Sequence, residues 1–208
     1  MEQIRVSRTE RKKEETRKKI IAVAMDLFNR QGFEQTTVEQ IAEEADVNKG
    51  TIYNHFPAKE AIICAYVQRI IKEQGPEALS QALQLPDTRS RLVSVLYKAV
   101  DWFHVKSNRD IFEKYYTFRA QKVFQVFRDG DLSESSGFRD VLEPIIKMGM
   151  EAGEIRRDIN SMILAAHLET MYSNWSVLWA ANPELFAIEE GVNMIMDFFL
   201  NGVKNREN

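Results

Sequence analysis

The sequence lacks most of the features that define disulfide-stabilised, secreted or membrane proteins. Its 208 residues include one cysteine, Cys64, beside Ile63 and Ala65. A lone cysteine in such a setting is typical of a small buried hydrophobic residue, with a redox switch as the less favoured alternative. No apolar run reaches the roughly 20 residues that a transmembrane helix needs, and no secretory segment follows the basic start. We therefore expect a cytoplasmic protein with no membrane partner.

Catalytic and metal-binding motifs are also missing. The chain has no phosphate-binding G-x-x-x-x-G-K loop, no H-E-x-x-H zinc motif and no nucleophile elbow. His55 has no second ligand at metal-binding spacing, and His104 and His167 stand alone in distant segments. An enzyme is thus the weaker reading, and we predict no cofactor and no metal site.

The chain shows no strand-like alternation, no internal repeat and no low-complexity segment. Helical periodicity fills most of it, and 44% hydrophobic residues can form the core of one or two domains. Turn-forming residues predict interruptions of the helices at 75–76, 85–87, 107–108, 129–137, 153–158 and 182–183. The predicted fold class is all-α.

The distribution of charge is more informative than the net charge of −3. Residues 1–19 carry eight basic and four acidic groups, a local balance of +4. Residues 1–60 carry eleven of each, so the formal −3 lies in residues 61–208. This excludes a protein whose whole surface is basic. It favours a small DNA contact area, with a contribution from the basic N-terminal arm. A frayed, soluble tail is the alternative for that arm.

Residues 36–59 contain two short helical patterns joined by a polar turn. Thr37 and Gln40 have the spacing of a capping box, and apolar residues follow at the helical interval. The turn ends at Asn48, which can cap a second helix. That second helix directs Ile52 and Phe56, four residues apart, toward the first. The pattern predicts a helix-turn-helix.

The outward face of the second helix is polar and suits a DNA groove. It carries Lys49, Gly50, Thr51, Tyr53, Asn54 and His55. These residues supply a cation, hydroxyls, an amide and an imidazole, while the glycine permits close backbone approach. Lys59 follows where its ammonium can meet a phosphate near a helix N-terminus. For Thr37 and Asn48, capping and phosphate contact are compatible roles, and solvated surface is the alternative for the lysines and Asn54.

Residues from about Thr16 to Ile63 resemble the N-terminal DNA-binding domain of the TetR family of bacterial transcriptional regulators. The resemblance is carried by Gly32-Phe33, Thr36-Thr37-Val38, Ile41-Ala42, Ala45, Val47 to Phe56 and Lys59-Glu60. It implies a three-helix domain whose recognition helix is Asn48 to His55. Phosphate contacts would come from Thr37, Tyr53, His55 and Lys59, and base contacts from Lys49, Gly50, Thr51 and Asn54. Asn48 replaces the usual serine, so its own DNA contact stays open.

Two domains are expected: a helix-turn-helix DNA-binding domain with its basic arm at 1–57, and a C-terminal helical bundle for ligand binding and dimerisation at 58–208. Two stripes suggest a homodimer interface, namely Leu185, Ile188, Val192, Ile195 and Phe199 at a heptad-like step and the small-residue stripe of Ala166, Thr170, Ser173 and Val177. A dimer would span two half-sites roughly 34 Å apart. The alternative is that these stripes only close the monomer core.

The middle of the chain is rich in aromatic residues, which suggests a cavity for a lipophilic or aromatic effector. The resemblance also implies such a pocket. The residues predicted to line it are Trp102, Phe103, Tyr115, Tyr116, Arg119, Met171 and Trp175. The ionisable groups expected to face it are Glu113, Arg119, His167 and Glu169. A plain aromatic core is the alternative for any one of these residues.

The expected function is that of a ligand-responsive transcriptional regulator, expected to be a repressor. It would bind a palindromic operator in double-stranded DNA as a homodimer and be released by a small-molecule effector. A constitutive DNA-binding regulator without an effector is the alternative. The two differ in whether the C-terminal core contains a cavity or is filled.

Overall fold

The computed structural model describes residues 7–103, 109–129 and 136–203, and it describes the side chains of these residues except 101, 103, 109, 122–129 and 203. These residues form helices without a β-strand, which confirms the all-α prediction. The helices are α1 (Arg8–Gln31), α2 (Val38–Glu44), α3 (Lys49–His55), α4 (Lys59–Ala82), α5 (Thr88–Phe103), α6 (Arg109–Asp129), α7 (Phe138–Glu151), α8 (Ser161–Ala181) and α9 (Ile188–Val203). None of the described helices is long and apolar enough to cross a membrane.

The chain divides into two compact units, Met1–Tyr66 and Val67–Asn208. The division falls inside α4, so the first two turns of that helix belong to the N-terminal unit. Their buried residues Ile62 and Ile63 add apolar area to the core of that unit. The domain boundary at residues 57 and 58 stays a sequence-based expectation.

Helix α1 begins at a capping box that the sequence reading did not anticipate. Ser7 Oγ accepts from the Glu10 backbone N–H at 3.1 Å, and Glu10 Oε2 accepts from the Ser7 N–H at 2.9 Å. The described part of the basic arm, residues 8–19, is therefore helical, and it is exposed except at the half-buried Thr16 and Arg17. The helix ends at Gly32, whose φ of +90° favours glycine. Gln31, the last residue of the helix, is exposed, and its amide donates to Gln40 Oε1 at 3.1 Å.

Side-chain caps define the start of both short helices, as predicted. Thr37 Oγ1 accepts from the Gln40 N–H at 3.1 Å, and Gln40 Oε1 accepts from the Thr37 N–H at 2.9 Å. Asn48 Oδ1 accepts from the Thr51 N–H at 2.7 Å. Each bond satisfies a backbone donor that would otherwise be exposed at a helix N-terminus, and a cap of this kind stabilises a helix by about 1 kcal/mol.

The C-terminal unit is a bundle in which α7 packs on α5 and α8, α9 packs on the same two helices, and α6 packs on α8. Its core includes Leu92, Leu96, Leu142 and Ile146, all fully buried. The predicted interruptions at 85–87, 153–158 and 182–183 lie between helices. Residues 107–108 and 130–135, parts of two further predicted interruptions, lie outside the described residues.

The predicted break at Gly75-Pro76 is wrong, since α4 continues through both residues to Ala82. Gly75 is buried, and a Cβ added to it would meet Val141 Cγ2 at 2.9 Å. The missing side chain thus allows close approach to α7, and burial offsets the hydrogen bond that Pro76 cannot make. Tertiary contact overrides local propensity at this point.

The heptad-like stripe of α9 is not a single exposed surface. Val192, Ile195 and Phe199 are at most 4% exposed and belong to the monomer core, whereas Leu185 is 68% exposed. The stripe therefore mostly closes the monomer, which was the alternative reading. The opposite side of α9 exposes Met194 and Phe198, at 42% and 66%.

Candidate functional site

The face of α3 predicted to contact DNA is open to solvent. Lys49, Gly50, Tyr53 and Asn54 are exposed, and Thr51 and His55 are half-buried. On the other side of the helix, Ile52 and Phe56 are each 2% exposed. The two buried anchors fix the rotation of α3, so this polar face points away from the N-terminal unit. That orientation is the one a recognition helix needs.

Lys49 forms an ion pair with Glu39 on the preceding helix α2. The hydrogen bond to Glu39 raises the pKa of Lys49, and the same bond lowers the pKa of Glu39. The ammonium also lies 5.8 Å from the centroid of the Tyr53 ring. A base contact by Lys49 therefore requires the ammonium to exchange the Glu39 carboxylate for an acceptor on DNA.

The start of α3 uses three predicted contact residues to build its cap. Asn48 Oδ1 accepts from both the N–H and the hydroxyl of Thr51, at 2.7 and 3.0 Å. A Cβ on Gly50 would lie 3.3 Å from the same oxygen. The Thr51 hydroxyl is thus turned toward the cap, and Gly50 leaves room for it. Direct DNA contacts by these residues stay predictions.

The basic start of α1 lies beside the C-terminal end of α3. Burial, Lys13 and Arg17 lower the pKa of His55, in that order, while Glu14 acts in the opposite direction. The Arg17 guanidinium lies 5.2 Å from the Phe56 ring centroid. Sequence reasoning assigned Lys13 and Arg17 to a general basic arm. Their four-residue spacing on one helix was the signal that they share a surface.

Lys59 has a structural role in addition to the predicted phosphate contact. Its ammonium donates to the backbone carbonyls of Phe33 and Thr36, at 2.9 and 2.7 Å, and lies 4.3 Å from the Phe33 ring centroid. It therefore ties the N-terminus of α4 to the loop between α1 and α2. A phosphate contact by Lys59 stays a prediction.

Replacing Lys59 with methionine should destabilise the protein even without DNA. Two charge-assisted hydrogen bonds are lost, at an expected cost of about 1 to 3 kcal/mol, which lowers Tm by roughly 2 to 12 °C. Thermal melting followed by circular dichroism measures the change. Lys72→Met, at an exposed position on the same helix, is the matched control. An unchanged melting temperature for Lys59→Met would show that the two backbone bonds contribute nothing to stability.

The C-terminal unit contains a groove between α6 and α8, here called the α6–α8 groove. Its first recess has a volume of about 630 Å³ and is lined by Phe112, Glu113, Tyr116, Thr117, Ala120, Gln121, Val177, Ala180 and Ala181. A second recess of about 300 Å³ is lined by Tyr116, Arg119, Ala120, Arg139, Ala166, Glu169, Thr170, Ser173, Asn174 and Val177. Tyr116, Ala120 and Val177 line both recesses, so the groove is continuous.

Several residues predicted to line a pocket are not among those that line these two recesses. Trp102 and Tyr115 are 5% exposed core residues, and Trp102 packs edge-on against Phe138 at 6.4 Å. Trp175 packs between α8 and α9 and donates to the Ala187 carbonyl at 3.2 Å. Met171 and His167 are absent from the described lining. The side chain of Phe103 lies outside the described residues.

Four predicted residues do line the groove: Tyr116, Arg119, Glu113 and Glu169. The entire small-residue stripe predicted for dimerisation, from Ala166 to Val177, also borders it. Small side chains on α8 leave space opposite α6, which is the physical reason that a recess forms there. Sequence reasoning identified the stripe but assigned the space beside it to a second copy of the chain.

One end of the groove is polar. The Glu169 carboxylate is 7% exposed and accepts from Arg139 Nε at 2.7 Å, from Arg119 Nη2 at 3.3 Å and from Ser136 Oγ at 2.5 Å. Arg139 and Ser136 were not singled out from sequence, because no local pattern shows that α7 reaches Glu169. Burial raises the pKa of Tyr116 to about 12, so its phenol is protonated near neutral pH.

Metal-ligating side chains do not converge in the described part of the chain, where no group of three or more His, Cys, Asp or Glu residues could hold an ion. Cys64 is half-buried in α4 rather than fully buried.

The N-terminal segment matches a known family. The model for bacterial regulatory proteins of the tetR family matches residues 20–66. The HTH-type transcriptional regulator HbdR of Aromatoleum sp. (strain CIB) is 28% identical over 198 residues, which cover 90% of this chain and 82% of the relative. The relatives are named as transcriptional regulators rather than enzymes.

Solved structures share the fold over nearly the whole chain. Thermus thermophilus FadR, a TetR family repressor solved with lauroyl-CoA, has a TM-score of 0.77 at 23% identity, covering 92% of this chain and 97% of that one. RolR, solved with resorcinol, has a TM-score of 0.67 at 17% identity, covering 94% and 91%. The matched DNA-binding segment, the shared helical fold and the relatives' names identify this chain as a transcriptional regulator of the TetR family.

Proposed function

We propose that this regulator is a cytoplasmic homodimer that represses transcription from a palindromic operator and is released by a small lipophilic or aromatic effector. The observation that carries the proposal is the polar face of α3, exposed on a helix held by Ile52 and Phe56. A fixed helix with exposed hydrogen-bonding groups can read base edges in the major groove.

In this proposal, contacts divide between bases and phosphates. Lys49 and Asn54 read base edges, while Gly50 and Thr51 bring the helix start close to the groove wall. Thr37, Tyr53, His55 and Lys59 contact phosphates, and Lys13 and Arg17 extend that set along α1. Asn48 acts mainly as a cap, since its side-chain oxygen already holds Thr51.

A homodimer follows from the need to contact two half-sites. One recognition helix per chain reads only one half of a palindrome, so two copies must pair with their α3 helices about 34 Å apart or a multiple of that distance. Exposed apolar residues on α8 and α9, namely Met162, Ile163, Met194 and Phe198, are candidates for the interface. Their burial by a second copy would remove apolar surface from water.

The α6–α8 groove is the proposed effector site. A recess of about 630 Å³ is within the range of small-molecule pockets, and its lining is mainly apolar. Regulators of the same fold were solved with lauroyl-CoA and with resorcinol, a lipophilic and an aromatic ligand. This recess also favours an effector-controlled regulator over the constitutive alternative, which requires a filled core.

We propose that α4 couples the two sites. The division between the units falls inside this helix, so its residues belong to both units. A ligand that binds one arrangement of α4 more tightly shifts the population toward that arrangement and changes the spacing of the two α3 helices. A differential affinity of about 1 to 3 kcal/mol would weaken operator binding by roughly 5- to 150-fold.

The experiment starts from an operator selected from random duplex DNA, with the stoichiometry of the complex measured by light scattering. Operator affinity is then measured with lauroyl-CoA and with resorcinol. We expect a dimer on a palindrome and weaker binding with at least one ligand. A monomer on a site without symmetry would overturn the dimer proposal. An operator affinity that does not change while ligand is bound would support the constitutive alternative.

His55 makes a specific prediction about pH. Burial, Lys13 and Arg17 lower its pKa in the free protein, and a nearby phosphate would raise it. DNA binding would then take up a proton, so operator affinity should rise as pH falls through the interval between the two pKa values. Binding measured across that range should lose this component in His55→Gln. An identical pH dependence in the variant would show that His55 does not contact phosphate.

A further inference from the structure

The Glu39 carboxylate of α2 lies beside the start of α3 and is fixed by two hydrogen bonds. It accepts from the Lys49 ammonium and from its own backbone N–H, and both bonds lower its pKa. The side chain of Glu39 is nevertheless 62% exposed, so its charge acts on any molecule that approaches this surface. Glu39 therefore places a negative charge next to the face that is proposed to meet DNA.

The ammonium of Lys49 is held from two sides. It donates to the Glu39 carboxylate, and it lies 5.8 Å from the centroid of the Tyr53 ring one turn further along α3. It makes no other hydrogen bond or ion pair with the described residues. A DNA group that binds Lys49 must therefore take the ammonium from Glu39.

This exchange differs between a phosphate and a base. A phosphate that takes the ammonium comes to lie beside the carboxylate that it displaces, so the two negative charges repel. The acceptors of a base edge, such as N7 and O6 of guanine, carry no net charge, so the same exchange with a base avoids this repulsion. Glu39 thus opposes phosphate contacts by Lys49 more strongly than base contacts.

Binding to random DNA depends on phosphate contacts, whereas binding to an operator also uses base contacts. Specificity is the difference between the two binding free energies, and it increases when binding to the wrong sequence is weakened. A carboxylate that competes only with phosphates for Lys49 therefore increases specificity, although it lowers the total attraction to DNA.

We infer that Glu39 is a specificity-determining residue, which keeps Lys49 away from DNA phosphates and leaves it for base edges. The inference rests on the proposed role of α3 as the recognition helix. It gives a function in DNA recognition to a residue of α2 whose own charge opposes contact with DNA. The wild-type protein should bind random DNA without Lys49 and use Lys49 only on the operator.

The test measures the affinity of Glu39→Gln for the selected operator and for a random duplex at several salt concentrations. Affinity should rise about tenfold for random DNA and about threefold for the operator, so the ratio of the two affinities falls about threefold. Each new phosphate contact releases about one counterion, so the log–log salt slope for random DNA should steepen by roughly one per protomer. The slope for the operator should change less, because Lys49 meets a base there in both proteins.

Glu43→Gln is the matched control. Glu43 is exposed one turn further along α2, and its carboxylate makes no hydrogen bond or ion pair with the described residues. Its replacement removes the same charge without releasing Lys49, so both affinities should rise equally and their ratio should stay constant. In a Lys49→Ala background, Glu39→Gln should affect random-DNA binding no more than Glu43→Gln does, because no ammonium is released.

A second readout does not depend on the Glu39 variant. Lys49→Ala should leave the affinity for random DNA within about twofold of the wild type, since Glu39 already keeps this lysine from phosphates. Thermal melting followed by circular dichroism identifies any variant that fails to fold. If Glu39→Gln is unstable, the random-DNA affinity of Lys49→Ala still decides the inference.

The outcomes separate this inference from the proposed function. A loss of specificity in Glu39→Gln that is absent from Glu43→Gln would support the inference. Equal gains of Glu39→Gln on both duplexes, or a large loss of random-DNA affinity in Lys49→Ala, would overturn it and keep α3 as the recognition helix. Equal affinity of the wild type for operator and random DNA would instead overturn the proposed function.

Discussion

Replacing Lys49 with alanine should weaken binding to the selected operator by about 10- to 100-fold, because a base contact in the major groove contributes about 1 to 3 kcal/mol of discrimination. Lys49 is exposed at the start of α3 and makes its ion pair with Glu39 at the surface. Its loss should therefore change DNA binding much more than folding. Equilibrium binding at fixed salt, with specific and random duplexes, measures the effect. Lys72→Ala, an exposed lysine later in the chain, is the control.

Replacing Glu39, the ion-pair partner of Lys49, should instead increase operator affinity. Glu39→Gln removes the carboxylate that holds Lys49 in the free protein. In the proposed complex this carboxylate would also lie near the DNA phosphates and repel them. Operator affinity should rise by about threefold, and binding to random DNA should rise as well, since the gain is electrostatic. For the first variant, equal operator affinity in wild type and Lys49→Ala would show that Lys49 makes no base contact. Weaker binding by Glu39→Gln would show that Glu39 itself supports the complex.

Replacing Gly191 with alanine should lower the stability of the C-terminal unit. A Cβ at this position would lie 1.7 Å from Nε1 of Trp175, and 2.1 and 2.2 Å from two further ring atoms. The indole cannot yield by a small shift, because it packs edge-on against Phe186 at 5.7 Å and donates to the Ala187 carbonyl. Overpacking of this kind costs about 1 to 3 kcal/mol, equivalent to a Tm lower by roughly 2 to 12 °C.

The same helix supplies the control for this change. Gly202 also lies in α9, and a Cβ there meets nothing within 4 Å. Gly202→Ala should therefore leave Tm unchanged or raise it slightly, through better helix propensity. Both variants are compared at one protein concentration, since the proposed dimerisation would make Tm depend on concentration. If Gly191→Ala lowers Tm less in a Trp175→Ala background than in the wild type, the steric cause is confirmed. An equal decrease in Tm in the two backgrounds would exclude it.

The N-terminal fold was readable from sequence because its information is local. Capping requires residues three positions apart, and Thr37 with Gln40 and Asn48 with Thr51 form the expected bonds. The spacing of Ile52 and Phe56 was sufficient to orient α3. The same local rules did not reveal the ion pair of Lys49 with Glu39 or the backbone bonds of Lys59, because these bonds join residues from different helices or loops.

The C-terminal unit was less readable for a physical reason. A helical stripe shows that one face is apolar, and it does not show which neighbour covers that face. Val192, Ile195 and Phe199 were therefore assigned to a dimer interface, although they pack in the monomer core. The groove depends on three helices that are distant in sequence, and Arg139 reaches Glu169 across 30 positions. Aromatic content alone predicted a cavity, and of the residues named for its lining, Tyr116 and Arg119 border the α6–α8 groove.

Operator affinity measured with a ligand bound in the α6–α8 groove tests directly whether this protein is a ligand-responsive regulator. The ligand is whichever of lauroyl-CoA and resorcinol binds the groove more tightly, used at saturation. We predict weakening of roughly 5- to 150-fold in the wild type, consistent with a coupling of about 1 to 3 kcal/mol, and no change in Val177→Trp, whose groove is filled. Unchanged operator affinity of the wild type with the groove saturated would contradict a ligand-responsive regulator.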